Sequence, residues 1–158
     1  MMEGDRDHSQ GERGFTFVCL GCFYRCKKPA NRCSESSGSV QCDYCTSRCV
    51  SCERCGSAMR QIDDNMVEII ILLNRKGYRT LSSCGGNGGH SIFVSVVDVG
   101  SLKRFPRGFN HSTNRINADL TIVCIEYPPR ERESEDEISR NVGELRKWAV
   151  EVKRVTQG

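Results

Sequence analysis

Nine of the eleven cysteines fall between Cys19 and Cys55, in the pattern C-x2-C-x3-C-x6-C-x8-C-x2-C-x3-C-x2-C-x2-C. Nothing else in the chain restricts its fold so tightly. Beyond Phe15, Phe17, Val18, Leu20, Phe23 and Tyr24, residues 15–60 carry little apolar material. A segment that cannot bury enough surface to repay its chain entropy needs a staple, either covalent or metallic. The pairs "CLGC", "CDYC" and "CERC" each have the two-residue spacing that lets one turn present both thiolates to a metal. Gly56 follows the last pair as a turn residue.

The choice between disulfides and metal turns on compartment. The opening "MMEGDRDHSQGERG" is polar and has no apolar core of a secretory signal. Residues 1–14 read as a flexible tail, and a cytoplasmic location is expected (host cytoplasm if the chain is phage-encoded). In a reducing compartment this cysteine spacing points to zinc. Nine thiols fill two four-thiolate zinc sites with one left over. The expected ligands are Cys19, Cys22, Cys26, Cys33, Cys42, Cys45, Cys52 and Cys55, with Cys49 the spare. Spacing does not assign connectivity, and an iron–sulfur cluster is the other metal reading. No apolar run reaches the roughly 18 residues of a membrane span. The longest, "MVEIIILLN", is interrupted by Glu68.

The cysteine density ends near Ala58–Gln61, which divides a module at 15–60 from a domain at 61–158. In the second part Ile62, Met66, Ile69, Ile70 and Leu73 recur at helical spacing, with Asp63 and Asp64 at the start and Gly77 at the stop. "YRTLSS", "SIFVSVV" and "LTIVCIEY" are rich in β-formers and read as strands. Ile138, Val142, Leu145, Ala149 and Val152 mark a closing helix over about 134–155. The expected fold class is α+β: a small zinc-stapled N-terminal module followed by a two-layer α/β sandwich in the order helix, strand, strand, strand, helix, with a mostly antiparallel sheet. Residues 100–119 lack periodicity and read as a long functional loop.

Two stretches are candidates for function. In "SSCGGNGGH", Ser82, Ser83, Cys84 and His90 could form a reactive pocket. Gly85, Gly86, Asn87, Gly88 and Gly89 supply a backbone free to approach a ligand or an anion. Alternatively, Cys52 and Cys55 could join Cys84 and His90 around a metal, welding the loop to the zinc module. In the long loop, Lys103, Arg104, Arg107 and Arg115 interleave with Phe105 and Phe109. That mixture suits a nucleic-acid or partner surface, and equally a solvated loop with two core anchors. Residues 15–60 carry seven Lys/Arg and three Asp/Glu, a surplus of four. Two sites of four thiolates and one Zn2+ each would cancel it, which argues against phosphate tracking by that half.

The elements "CERCG", "LNRKGYRT", "SSCGGNGGH" and "RFPRGF" resemble, over residues 52–110, a set of uncharacterised bacterial and bacteriophage proteins with a zinc knuckle and a "CSGH"-like loop. That resemblance implies a phage or bacterial accessory protein. Asn74, Tyr78, Thr80, Ser82, Ser83, Cys84 and Gly86 also resemble the "SSCSGR" region of the wybutosine-synthesis tRNA methyltransferase family. Gly85 and Asn87 stand where that family has serine and arginine. This second resemblance implies S-adenosylmethionine, an RNA substrate and methyl transfer. Two readings follow: a non-enzymatic zinc-binding interaction protein acting through residues 82–90 and 100–119 on a protein or nucleic acid, and an RNA-modifying enzyme using the Ser82–His90 pocket.

Overall fold

The computed structural model describes residues 14–27, 31–32, 50–86, 91–98, 100, 102–128 and 134–155. The chain separates into two compact units, Met1–Val67 and Glu68–Gly158. The fold is α+β, with two helices and antiparallel sheets.

The first unit contains strands β1 (Phe15–Cys19), β2 (Arg25–Cys26), β3 (Asn31–Arg32), β4 (Val50–Ser51) and β5 (Met59–Asp63). β1 is central in a β2-β1-β5 sheet, and β3 pairs with β4. The register sets Cys19 opposite Met59 and Phe17 opposite Cys26. Val18, Ile62 and Met66 are buried, and Phe17, Cys19, Cys52 and Met59 form one buried cluster, with Phe15, Tyr24 and Cys26 packed against it. Two of its four members are thiols. The core is therefore continuous with the chemistry of the cysteines.

β5 corrects one sequence expectation. Ile62 belongs to this strand and not to a helix, and Asp64–Met66 is a single 3-10 turn. The interval from Ile62 to Met66 mimics helical spacing because it joins a strand end to a turn. The five-residue ladder with β1 holds Met59–Asp63 in the first unit. Lys27 closes the unit by pairing with Asp64 at 2.6 Å and donating to the Phe15 carbonyl at 3.0 Å.

The second unit is the two-layer sandwich. It holds α1 (Val67–Arg75, whose first residue lies in the first unit), β6 (Thr80–Gly85), β7 (Ile92–Val97), β8 (Asn110–Asn117), β9 (Leu120–Tyr127) and α2 (Glu135–Glu151). The sheet order is β6-β7-β9-β8, all antiparallel. Alternation decides its faces. Ile92, Val94, Val96, Val123 and Ile125 are buried on one side, and α2 turns Ile138, Val142, Leu145, Trp148 and Ala149 inward. There is one strand more than the sequence suggests. β8 lies in the expected 100–119 loop, and all eight of its residues are exposed. With neither face buried, no alternation marks it.

Helix ends explain the "LNRKGY" run. Tyr78 N–H donates to the Leu73 carbonyl at 2.9 Å and Gly77 N–H to that of Asn74 at 3.1 Å, with Gly77 at φ 97. These are the two bonds of a Schellman stop. The turn then reaches across to the end of α2. Lys76 Nζ donates to the carbonyls of Ala149, Val150 and Val152, the Tyr78 hydroxyl donates to that of Lys153, and Val155 N–H donates to that of Lys76. A lysine at these carbonyls complements the negative end of the helix. Asn74 Nδ2 donates both to the Ile70 carbonyl and to the Thr80 hydroxyl. Ser134 starts α2 by accepting from Glu137 N–H at 3.1 Å, ahead of three acidic residues.

Candidate metal centre

Cys19, Cys22, Cys52 and Cys55 bring their four Sγ atoms within 4.8 Å of one another. Each pair is delivered by a knuckle at a strand end. In the first, Phe23 N–H donates to the Cys19 carbonyl and Cys19 N–H to that of Tyr24. In the second, Gly56 N–H donates to the Cys52 carbonyl and Cys52 N–H to that of Ser57. The residue after each pair has positive φ: 66 at Phe23 and 80 at Gly56. Glycine takes that conformation without cost, whereas Phe23 carries strain of about 1–3 kcal/mol. The same turn is thus built twice, once from "CLGCF" and once from "CERCG".

The sulfurs cross-pair between knuckles. Cys19 Sγ lies 3.4 Å from Cys55 Sγ, and Cys22 Sγ 3.6 Å from Cys52 Sγ. A tetrahedral ion with metal–sulfur bonds of about 2.3 Å sets its sulfurs about 3.8 Å apart, so this spacing fits a shared ion. Backbone N–H groups also face the sulfurs. Cys22 N–H donates to Cys19 Sγ at 3.4 Å, and Arg54 N–H to Cys52 Sγ at 3.3 Å. Such donors stabilise thiolates over thiols. The four cysteines can hold a metal ion.

Electrostatics separate the four thiols. The Ser57 hydroxyl and backbone N–H, with the Cys19 thiol, pull the Cys55 thiol down to about 6. For Cys22, the Tyr24 backbone favours the anion, but desolvation and the Cys52, Cys19 and Cys55 sulfurs outweigh it and push the thiol up to about 12. Burial opposes ionisation of Cys52, but the Cys55 and Arg54 backbone N–H groups and the Cys22 and Cys19 sulfurs outweigh it and lower that thiol as well. Thiolates this close repel one another, and a shared cation would offset that repulsion.

Tyr24 ties the two knuckles together. Its hydroxyl donates to Glu53 Oε1, and the Arg54 guanidinium stands 4.5 Å over its ring. The sequence pointed to the cysteines but not to this clasp. An aromatic two residues past a knuckle, matched by Glu-Arg inside the other, is the signal that could have found it.

Cys26, expected as a ligand, sits on β2 outside the four-sulfur cluster, and burial raises its pKa. Cys33, Cys42, Cys45 and the expected spare Cys49 lie outside the described residues, as do Asn87, Gly88, Gly89 and His90. The set formed with Cys19 and Cys22 gives Cys52 and Cys55 four-fold company without Cys84. Cys84 is on β6 opposite Phe93.

Of the expected Ser82–His90 pocket, Ser82, Ser83 and Cys84 lie on β6. Ser82, opposite Ser95, and Cys84, opposite Phe93, share one face. Ser83, opposite the buried Val94, lies on the other. Gly85 ends β6, and Gly86 has φ 90 beside Ile92 and Ile138.

In the expected partner surface, Phe109 is a core anchor, 8% exposed and edge-on to Tyr127. Phe105 stacks on His111 at 3.8 Å. Lys103, Arg104, Arg107 and Arg115 are exposed. Among the described residues no helix is long and apolar enough to cross a membrane. Comparison with protein-family models, curated proteins and solved structures finds no match to this chain.

Proposed function

We propose that Cys19, Cys22, Cys52 and Cys55 hold a structural Zn2+ and that the chain is a zinc-stapled interaction protein rather than an enzyme. The supporting observation is the doubled knuckle: two turns with the same hydrogen bonds place four sulfurs within 4.8 Å. All-thiolate, four-coordinate sites are the structural kind, with no position left open for a substrate. The ion's contribution is a cross-link that orders a unit with little apolar surface.

A second ion completes the cysteine arithmetic. Once Cys19, Cys22, Cys52 and Cys55 are grouped, Cys26, Cys33, Cys42, Cys45 and Cys49 remain of the nine between Cys19 and Cys55, and Cys26 packs against the core. The other four are the natural donors. A bacterial or phage accessory role in the cytoplasm follows the resemblance of residues 52–110, with the partner engaged through the 100–119 segment.

Native mass spectrometry of the full chain tests this directly. Two zinc ions are expected, falling to one in Cys19→Ser/Cys22→Ser and to one in Cys42→Ser/Cys45→Ser. Metal-free protein with an intact β1–β5 sheet, or iron in place of zinc, would sink the reading.

A further inference from the structure

We propose that β8 is the docking edge of this protein and that it accepts an extended acidic segment of a partner protein as an added strand. This rests on the interaction reading above and names the partner's chemistry.

β8 ends the four-stranded sheet, and its eight residues are all exposed. Its cover stops short. His111 and Thr113 stand opposite Ile125 and Val123, on the face that is buried elsewhere in the sheet. Ile125 is 0% and Val123 3% exposed, yet His111, Thr113 and Arg115 are open. The sheet thus overhangs its helices by one strand. An open edge presents a row of backbone donors and acceptors, and proteins normally blunt it with proline, lysine, a bulge or a covering loop. β8 contains neither proline nor lysine. Its register break lies at the far end, between Arg115 and Asn117, leaving Asn110–Arg115 regular.

A cavity of about 220 Å3 lies between residues 104–107 and the C-terminal half of α2. Phe105 lines it and stacks on His111 of β8, and Trp148 lines it and donates Nε1–H to the Arg104 carbonyl. Strand addition takes affinity from main-chain bonds and specificity from pockets that receive alternate side chains. Charge selects the partner's sign. Lys103, Arg104, Arg107 and Arg115 face one acid, Asp119, across residues 102–119. Arg104, Arg107 and Lys147 outnumber Glu144 and Glu151 on the cavity walls. An antiparallel strand places residues directly opposite those of β8, so an acid opposite Arg115 gains a cross-strand pair.

The test uses fluorescence anisotropy of full-length, metal-loaded protein with a labelled seven-residue peptide of alternating Glu and Val. Two further versions are N-methylated on alternate residues, one for each edge of the peptide. The parent peptide is expected to bind, and one of the methylated versions to lose at least about tenfold in affinity while the other does not. Arg115→Glu should weaken the parent by about tenfold or less, and a Lys/Val peptide should not bind. Equal binding by all three acidic peptides would mean charge without strand pairing and would overturn the proposal. Displacement of the peptide by a single-stranded oligonucleotide with the same Arg115 dependence would overturn it too, reassigning the surface to nucleic acid. The metal content of the same sample separates the outcomes: absent peptide binding with zinc retained removes the docking edge alone, and absent zinc removes the metal reading alone.

Discussion

The two units solve the same entropic problem with opposite materials. The first closes a five-residue ladder around a cluster of Phe17, Cys19, Cys52 and Met59 and gathers four sulfurs at one end. The second buries Tyr78, Leu73, Ile70, Ile92, Val94, Ile125 and Leu145 almost completely between helices and sheet. Surface removed from water offsets conformational entropy in both units, and in the first the proposed metal cross-link would add to it. The contrast predicts separable failures.

Metal removal should have the largest effect. With chelator, or in Cys52→Ser, hydrogen exchange is expected to show lost protection in β1 and β5 while Ile92–Val97 stays protected. Equal loss in both units would break the comparison. Leu145→Ala reverses the experiment. It removes a fully buried side chain from the second unit, at a cost of about 2–5 kcal/mol in denaturant unfolding, with the metal stoichiometry unchanged.

Gly77→Ala probes the clasp between α1 and α2. A Cβ there would stand 2.9 Å from Val155 Cβ, on a backbone with φ 97. A loss of about 1–3 kcal/mol is expected by thermal denaturation, and an effect below about 0.5 kcal/mol would mean that the turn relaxes freely. The smallest effect belongs to Asp64. Burial opposes its ionisation, but the Lys27 and Thr16 hydrogen bonds and the Lys27 charge outweigh it and lower its pKa. A depressed carboxylate stabilises the fold above its unfolded pKa, and that stability disappears as pH falls through the folded value. Asp64→Asn should flatten the acid limb of the first unit's stability curve by less than about 1 kcal/mol, since the pair is exposed.

The sequence was legible where one face of an element is buried. "SIFVSVV" and "LTIVCIEY" alternate because one side packs on helices, and they are β7 and β9. It was illegible where both faces are alike. β8 is wet on both sides, so its polar residues carry no period. The cysteine spacing identified each knuckle but not which two share an ion. That depends on β1 and β5 lying side by side with Cys19 opposite Met59, a pairing between residues forty positions apart. The motif that resembled a methyltransferase proved most instructive. Asn74, Tyr78 and Thr80 are held by the turn after α1, where they join a helix stop to a neighbouring strand and to the end of α2. Their spacing is explained by local geometry, whatever chemistry surrounds it.

That clasp also sets a schedule for synthesis. Lys76 caps carbonyls as far as 76 positions downstream, and Tyr78 finds its acceptor on Lys153. The four sulfurs of the knuckles are all translated by Cys55, and the partners Cys19 and Cys55 are only 36 positions apart. At about 5–20 residues per second, the first unit can take its metal while the second is still emerging. The turn after α1, though made midway, stays open until the last turn of α2 has left the ribosome.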